Sequence, residues 1–98
     1  MKNIKMSGSV GDFGENKDIA KSIRISTIMP ALARNEQVII DFTGVRGVTQ
    51  SFIHALIAEP IREYTDTIFD LLVFKNCNEL VRTVIGVVES YMQESLSE

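Results

Sequence analysis

The sequence predicts an α/β domain, a small, mostly parallel or mixed sheet of about four strands with three helices. Three observations lead there. Val38-Ile-Ile is a short apolar run suited to a central strand, and Ile68–Phe74 is another, rich in Leu and Val. The segments around these runs repeat their apolar residues at helical spacing, so strands and helices alternate along the chain. With 98 residues, 1–98 forms a single domain with one core.

Residues 1–16 are expected to form an N-terminal strand and a glycine loop. Ile4 and Met6 alternate with Asn3 and Lys5, as in a half-buried strand over Lys2–Met6. Gly8, Gly11 and Gly14 then stand three apart, but they match neither glycine-rich phosphate-binding pattern. Asp12 and Glu15 would repel an anion, so a flexible loop or hairpin turn is expected over Ser7–Gly14. A helix follows over about Lys17–Arg34, where Ile25, Ile28, Met29 and Leu32 keep helical spacing. Pro30 lacks a backbone donor, so this helix should bend ahead of it and end near Asn35. Lys17, Lys21 and Arg24 give its first half a basic face.

Gln37–Phe42 reads as a strand buried on both faces, with Asp41 placed to accept hydrogen bonds from loop amides. Gly44 and Gly47 give the loop to Thr49 its backbone freedom. The second helix opens at Thr49–Ser51 and runs to about Tyr64. Phe52, Ala55 and Leu56 make one apolar stripe, with Ile53, Ile57 and Ile61 beside it. Pro60 lies inside this pattern and predicts a kink or an early break near Glu59. After a turn at Thr65–Asp66 comes the strand Ile68–Phe74. Asn76 is then placed to cap a helix, with Glu79 three residues later as in a capping box. Leu80, Val81, Val84, Ile85, Val88, Tyr91 and Met92 follow at helical spacing, and 95–98 is expected to be a frayed tail.

A hydrophobic fraction of 45% and a charged fraction of 23% are ordinary for a soluble globular protein. No apolar run approaches the ~20 residues that span a bilayer, and the start of the chain has no signal-peptide core. The single cysteine, Cys77, fits a reducing compartment, so a cytoplasmic location is expected, with no membrane partner. Residues 1–46 carry seven Lys/Arg against five Asp/Glu, and residues 47–98 carry three against eight. An acidic second half argues against nucleic acid as a partner, because nucleic-acid binding needs a concentrated basic face.

The order of elements, together with Val38-Ile-Ile-Asp41-Phe-Thr-Gly-Val45 and Thr49-Gln-Ser51-Phe52, resembles the STAS-like domains, relatives of the bacterial anti-sigma-factor antagonists. The likeness runs from about Lys17 onward. It implies a mostly parallel sheet with helices packed on it and no enzymatic activity. It also implies a protein partner, in the related antagonists a kinase or anti-sigma-like ATPase. Those antagonists are phosphorylated on a serine at the start of the second helix. Alignment on Asp41 puts their Asp-Ser-Ser-Gly corner on Thr49, Gln50, Ser51 and Phe52. Gln50 then occupies the phosphorylated position and has no hydroxyl, while Ser51 matches the second serine.

Other chemistry has little support in the residues. His54, the single histidine, shares a face of the second helix with Ala58 and Arg62 and is expected in solvent. Cys77 has neither a histidine nor a second cysteine near it in sequence, so it lacks a base. No CxxC, HExxH or Walker pattern is present, so no metal and no cofactor is expected. Ser51 and Thr49 each read first as an N-cap and second as a regulatory hydroxyl. The expected function is a non-enzymatic interaction module, partner-switch-like, docking through 44–51 with Arg46, Thr49, Gln50 and Ser51. The alternative is a sensor of nucleotides or phosphorylated metabolites built on 8–24.

Overall fold

The computed structural model describes residues 1–97. Three parallel strands, β1 (Lys2–Lys5), β3 (Val38–Asp41) and β5 (Leu72–Lys75), form a sheet in the order β1-β3-β5. Ile4 lies level with Ile40, and Ile40 with Phe74. A second sheet holds only β2 (Phe13–Gly14) and β4 (Gly47–Val48), again parallel. The expected α/β class is therefore present, with the strands divided three and two.

The Val-Ile-Ile run is central, as expected, but its burial alternates. Val38 and Ile40 are fully buried, whereas Ile39 is half-buried. On the face that carries Ile39, Asn3, Lys5 and Lys75 are exposed and Val73 is half-buried. The expectation of two buried faces is corrected: the core lies on one side of the sheet and lysines stand on the other.

The segment Ser7–Gly14 is ordered rather than a plain loop. It holds a single helical turn, α1 (Ser7–Val10), and then β2, with Gly11 at φ 68° between them. The expected 17–34 helix is divided into α2 (Lys17–Ile23), a π-helical turn (Arg24–Ile28) and α3 (Met29–Ala33). The π turn sits just ahead of Pro30, where the bend was predicted. Met29 N–H reaches back to the Arg24 carbonyl, and the Ser26 hydroxyl donates to the Ser22 carbonyl at 2.7 Å, filling an acceptor near the register change. Asn35, at φ 59°, follows the end of α3 in the left-handed conformation that asparagine tolerates.

α4 (Gln50–Glu63) runs unbroken through Pro60, so the predicted break near Glu59 does not occur. Pro60 and Ile61 are both buried, and only three helical residues follow the proline, so little of the hydrogen-bond ladder is at stake. The predicted strand Ile68–Phe74 begins as a helical turn, α5 (Ile68–Leu71), and is extended only over β5. Four residues suffice to match β3, and Ile68 fills the core from the helical turn instead.

α6 (Glu79–Ser97) is the longest helix and packs against α4, burying Val81, Ile85, Val88 and Met92. Its cap is Asn78, whose Oδ1 accepts from Val81 N–H at 2.8 Å, so the predicted cap at Asn76 is displaced by two residues. Of the predicted frayed tail 95–98, the helical backbone runs to Ser97 and Glu98 lies outside the described residues. Among the described residues no helix is long and apolar enough to cross a membrane.

Candidate functional site

The corner after β3 is built around Asp41. Its Oδ1 accepts from Thr43 N–H at 2.9 Å, from the Thr43 hydroxyl at 2.6 Å and from the Asn76 side chain at 3.1 Å. The Thr43 hydroxyl first, then Asn76, hold the carboxyl down to about 2 from an ordinary 3.8. Asp41 thereby ties the end of β3 to the end of β5. The expected structural role of this carboxylate is what the geometry shows.

The loop from Thr43 to Arg46 is pinned rather than free. Val45 N–H bonds the Phe42 carbonyl at 3.0 Å, and Arg46 N–H bonds the Asp12 carbonyl at 2.7 Å. Asn78 Nδ2 donates to the Arg46 carbonyl at 2.8 Å. Both backbone groups of Arg46 are thus held, and its side chain is exposed. Gly44, at φ 81°, uses the freedom that the sequence suggested. Gly47 does not: it is a buried strand residue, and a Cβ there would stand 3.0 Å from the Phe13 ring.

Thr49 N–H bonds the Gly14 carbonyl at 2.9 Å, which seats the start of α4 on the small sheet. The Thr49 hydroxyl accepts from Phe52 N–H at 3.1 Å, so Thr49 is the N-cap. Ser51, read from sequence first as a cap, sits in the first turn instead. Its hydroxyl lies 3.3 Å from the Thr49 hydroxyl, and both Ser51 and Gln50 are exposed.

Gln50 and Ser51 line a groove of about 550 Å³ together with Lys17, His54, Ala55, Val88 and Tyr91. A second hollow of about 370 Å³ is lined by Asp12, Phe13, Arg46, Gly47 and Leu80. The predicted site residues are therefore divided. Gln50 and Ser51 belong to the groove, Arg46 belongs to the hollow, and Thr49 is committed to the cap. His54 is exposed as expected, but it contributes to the groove. Tyr91, 58% exposed, and Leu80, 56% exposed, keep the helical spacing of the last helix but border these concavities rather than the core. One signal in the sequence could have found them. The last helix carries more apolar positions than a single buried stripe uses.

The basic face of the 17–34 segment is dispersed. Arg24 Nη1 donates to the Ala55 carbonyl at 2.9 Å, and Nε lies 3.4 Å from Glu59, so Arg24 braces α4 while Lys17 alone of the three lines the groove. Gly14 is buried beneath the Phe52 ring, 3.2 Å from a would-be Cβ, and does not contribute to a phosphate cradle. Burial pushes the Cys77 thiol up, the direction opposite to nucleophile activation. Among the described residues no group of three or more His, Cys, Asp or Glu could hold a metal ion.

The sequence matches the family described as STAS-like domain of unknown function (DUF4325) over residues 11–82. No curated protein and no solved structure matches the chain. The matched span runs from the turn before β2, through the Asp41 corner and α4, into the first turn of α6. The chain belongs to the STAS-like domain family.

Proposed function

We propose that this domain is a non-enzymatic interaction module that docks on another protein through the surface formed by Arg46, Gln50 and Ser51. One observation carries the reading. Thr49 supplies the cap of α4, so Gln50 and Ser51 are exposed at the groove, with the Ser51 hydroxyl 3.3 Å from that of Thr49. A pinned backbone presents Arg46, four residues earlier and at the separate hollow, at little entropic cost on binding. Rigid corners at strand C-termini are where α/β folds place recognition. The STAS-like family adds the expectation that the partner is regulatory, of the kinase or anti-sigma ATPase kind.

Ser51 is the group through which docking is regulated in this reading. A phosphate there would add charge to the docking surface and gain from the positive end of α4. The test is capture from lysate of the native host by the wild-type domain and by Arg46→Trp and Ser51→Asp, with phosphorylation mapped by mass spectrometry. The expected result is a protein held by the wild type, lost by Arg46→Trp and altered by Ser51→Asp. Unchanged capture by both variants, with no phosphate on Thr49 or Ser51, removes the docking surface and the switch together.

Ligand sensing by the 8–24 region is the second reading, and only Lys17 still favours it, as the basic group at the groove. A ligand at about 100 times its dissociation constant would raise stability by about 2.7 kcal/mol, visible as a thermal shift with nucleotides or phosphorylated metabolites.

A further inference from the structure

The groove beside α4 is built from three elements. Gln50 and Ser51, with His54 and Ala55 one turn on, share one face of α4. Val88 and Tyr91 come from α6, and Lys17 is the first residue of α2. Ala55 and Val88 give the groove apolar surface, and Tyr91, 58% exposed, adds an aromatic ring. The volume of about 550 Å³ falls within the roughly 300–1,000 Å³ of small-molecule sites, which combine apolar walls with a few convergent polar groups.

The polar groups of the groove are of one kind. A lysine ammonium, an imidazole, a hydroxyl and a carboxamide can all donate hydrogen bonds, and no Asp or Glu is among the lining residues. Two other hollows differ: Arg46 is accompanied by Asp12 in one, and Lys5 by Asp41 in the other. Arg24 and Arg34 are paired with Glu59 and Glu36, whereas among the described residues the side chains of Lys17 and His54 have no hydrogen bond or ion pair. In a chain of net charge −3, a concave surface that gathers these two bases without a carboxylate suits an anionic occupant.

We propose that the groove binds a small molecule with an oxyanion head and a flat apolar body. Lys17, Gln50, Ser51 and His54 donate to the head, and Tyr91 with Ala55 and Val88 receives the body. The inference rests on the ligand-sensing reading and moves its site from the 8–24 region to the groove. An occupant there covers Gln50 and Ser51, so ligand and docked protein compete for them.

The test is a titration of the purified domain with phenyl phosphate, followed by two-dimensional amide NMR. For a probe of this size a dissociation constant on the order of 1 mM is expected. Saturable shifts should centre on Lys17, on the start of α4 and on Tyr91. Lys17→Gln and Tyr91→Ala, both at exposed positions, should each weaken binding about fivefold with unchanged unfolding midpoints, and Lys5→Gln should not. Inorganic phosphate and phenol should each bind at least about tenfold more weakly than phenyl phosphate, because each offers only one of the two parts. Absence of saturable binding overturns the proposal, as does binding that Lys17→Gln or Tyr91→Ala leaves unchanged, or inorganic phosphate held as tightly as phenyl phosphate. Saturable shifts confined to the loop ahead of α2 overturn the groove and leave ligand sensing standing. Because no other protein is present, each of these results leaves the partner-docking reading to its own experiment.

Discussion

Asp41 shows how one side chain fixes the corner on which the proposed function depends. Its carboxylate accepts three hydrogen bonds, and its titration is displaced to about 2 from an ordinary 3.8. The sign follows from the lowered value. The folded state favours the ionised form, so the stabilisation is complete above about pH 4 and is lost as pH falls from 3.8 toward 2. Carboxyl chemical shifts followed by NMR should place the Asp41 midpoint near 2, and Thr43→Val should move it back toward the ordinary range. Thr49 and Ser51 make a second contrast at this scale. Thr49→Ala removes the cap of α4 and should cost about 1 kcal/mol in denaturant unfolding, while Ser51→Ala should cost a few tenths at most. The sequence showed that a hydroxyl caps this helix but not which one, because Thr49 and Ser51 both fit the local pattern. The bond from Thr49 N–H to the Gly14 carbonyl, 35 residues back in the chain, sets the register and has no local trace.

At the scale of elements, α6 has a weak point that touches nothing. A Cβ on Gly86 would meet no atom within 4 Å, and the residue lies in the middle of the helix at ordinary helical φ. Gly86→Ala should therefore stabilise the domain by up to about 1 kcal/mol, raising the thermal midpoint without altering any surface of the groove. Elements with their own punctuation were legible. The start expected near Lys17 is where Asn16 caps α2 through Asp18 N–H, and the place of the bend expected ahead of Pro30 is taken by the π turn. Elements set by a distant partner were not. Residues Ile68–Leu71 have strand composition, yet β3 offers only four residues to pair, so the rest of that run coils into α5. Likewise β2 and β4 pair over two residues each, too short to show any alternation in sequence. Pro60 misled because a ring with helical φ near the end of α4 is retained by the burial of its neighbours.

Across the whole molecule, one face of the sheet faces the helices and the other presents Asn3, Lys5 and Lys75. The class was legible because the alternation of apolar strand and amphipathic helix is encoded locally throughout, and the family through its resemblance at Val38–Val45 and Thr49–Phe52. The site was legible in part: the Asp41 corner and the start of α4 are contiguous in sequence. The groove joins them to Lys17, Val88 and Tyr91, residues that only the packing of α2 and α6 against α4 brings together. The domain's function in this account is carried by the rigid face of Arg46, Gln50 and Ser51. The most direct measurement is partner capture from native lysate by wild type and Gln50→Trp at matched concentration, with thermal unfolding of both recorded. The account predicts equal unfolding midpoints and at least about a tenfold loss of the captured protein in the variant, the scale of one central contact. Equal recovery of that protein by both forms would contradict it.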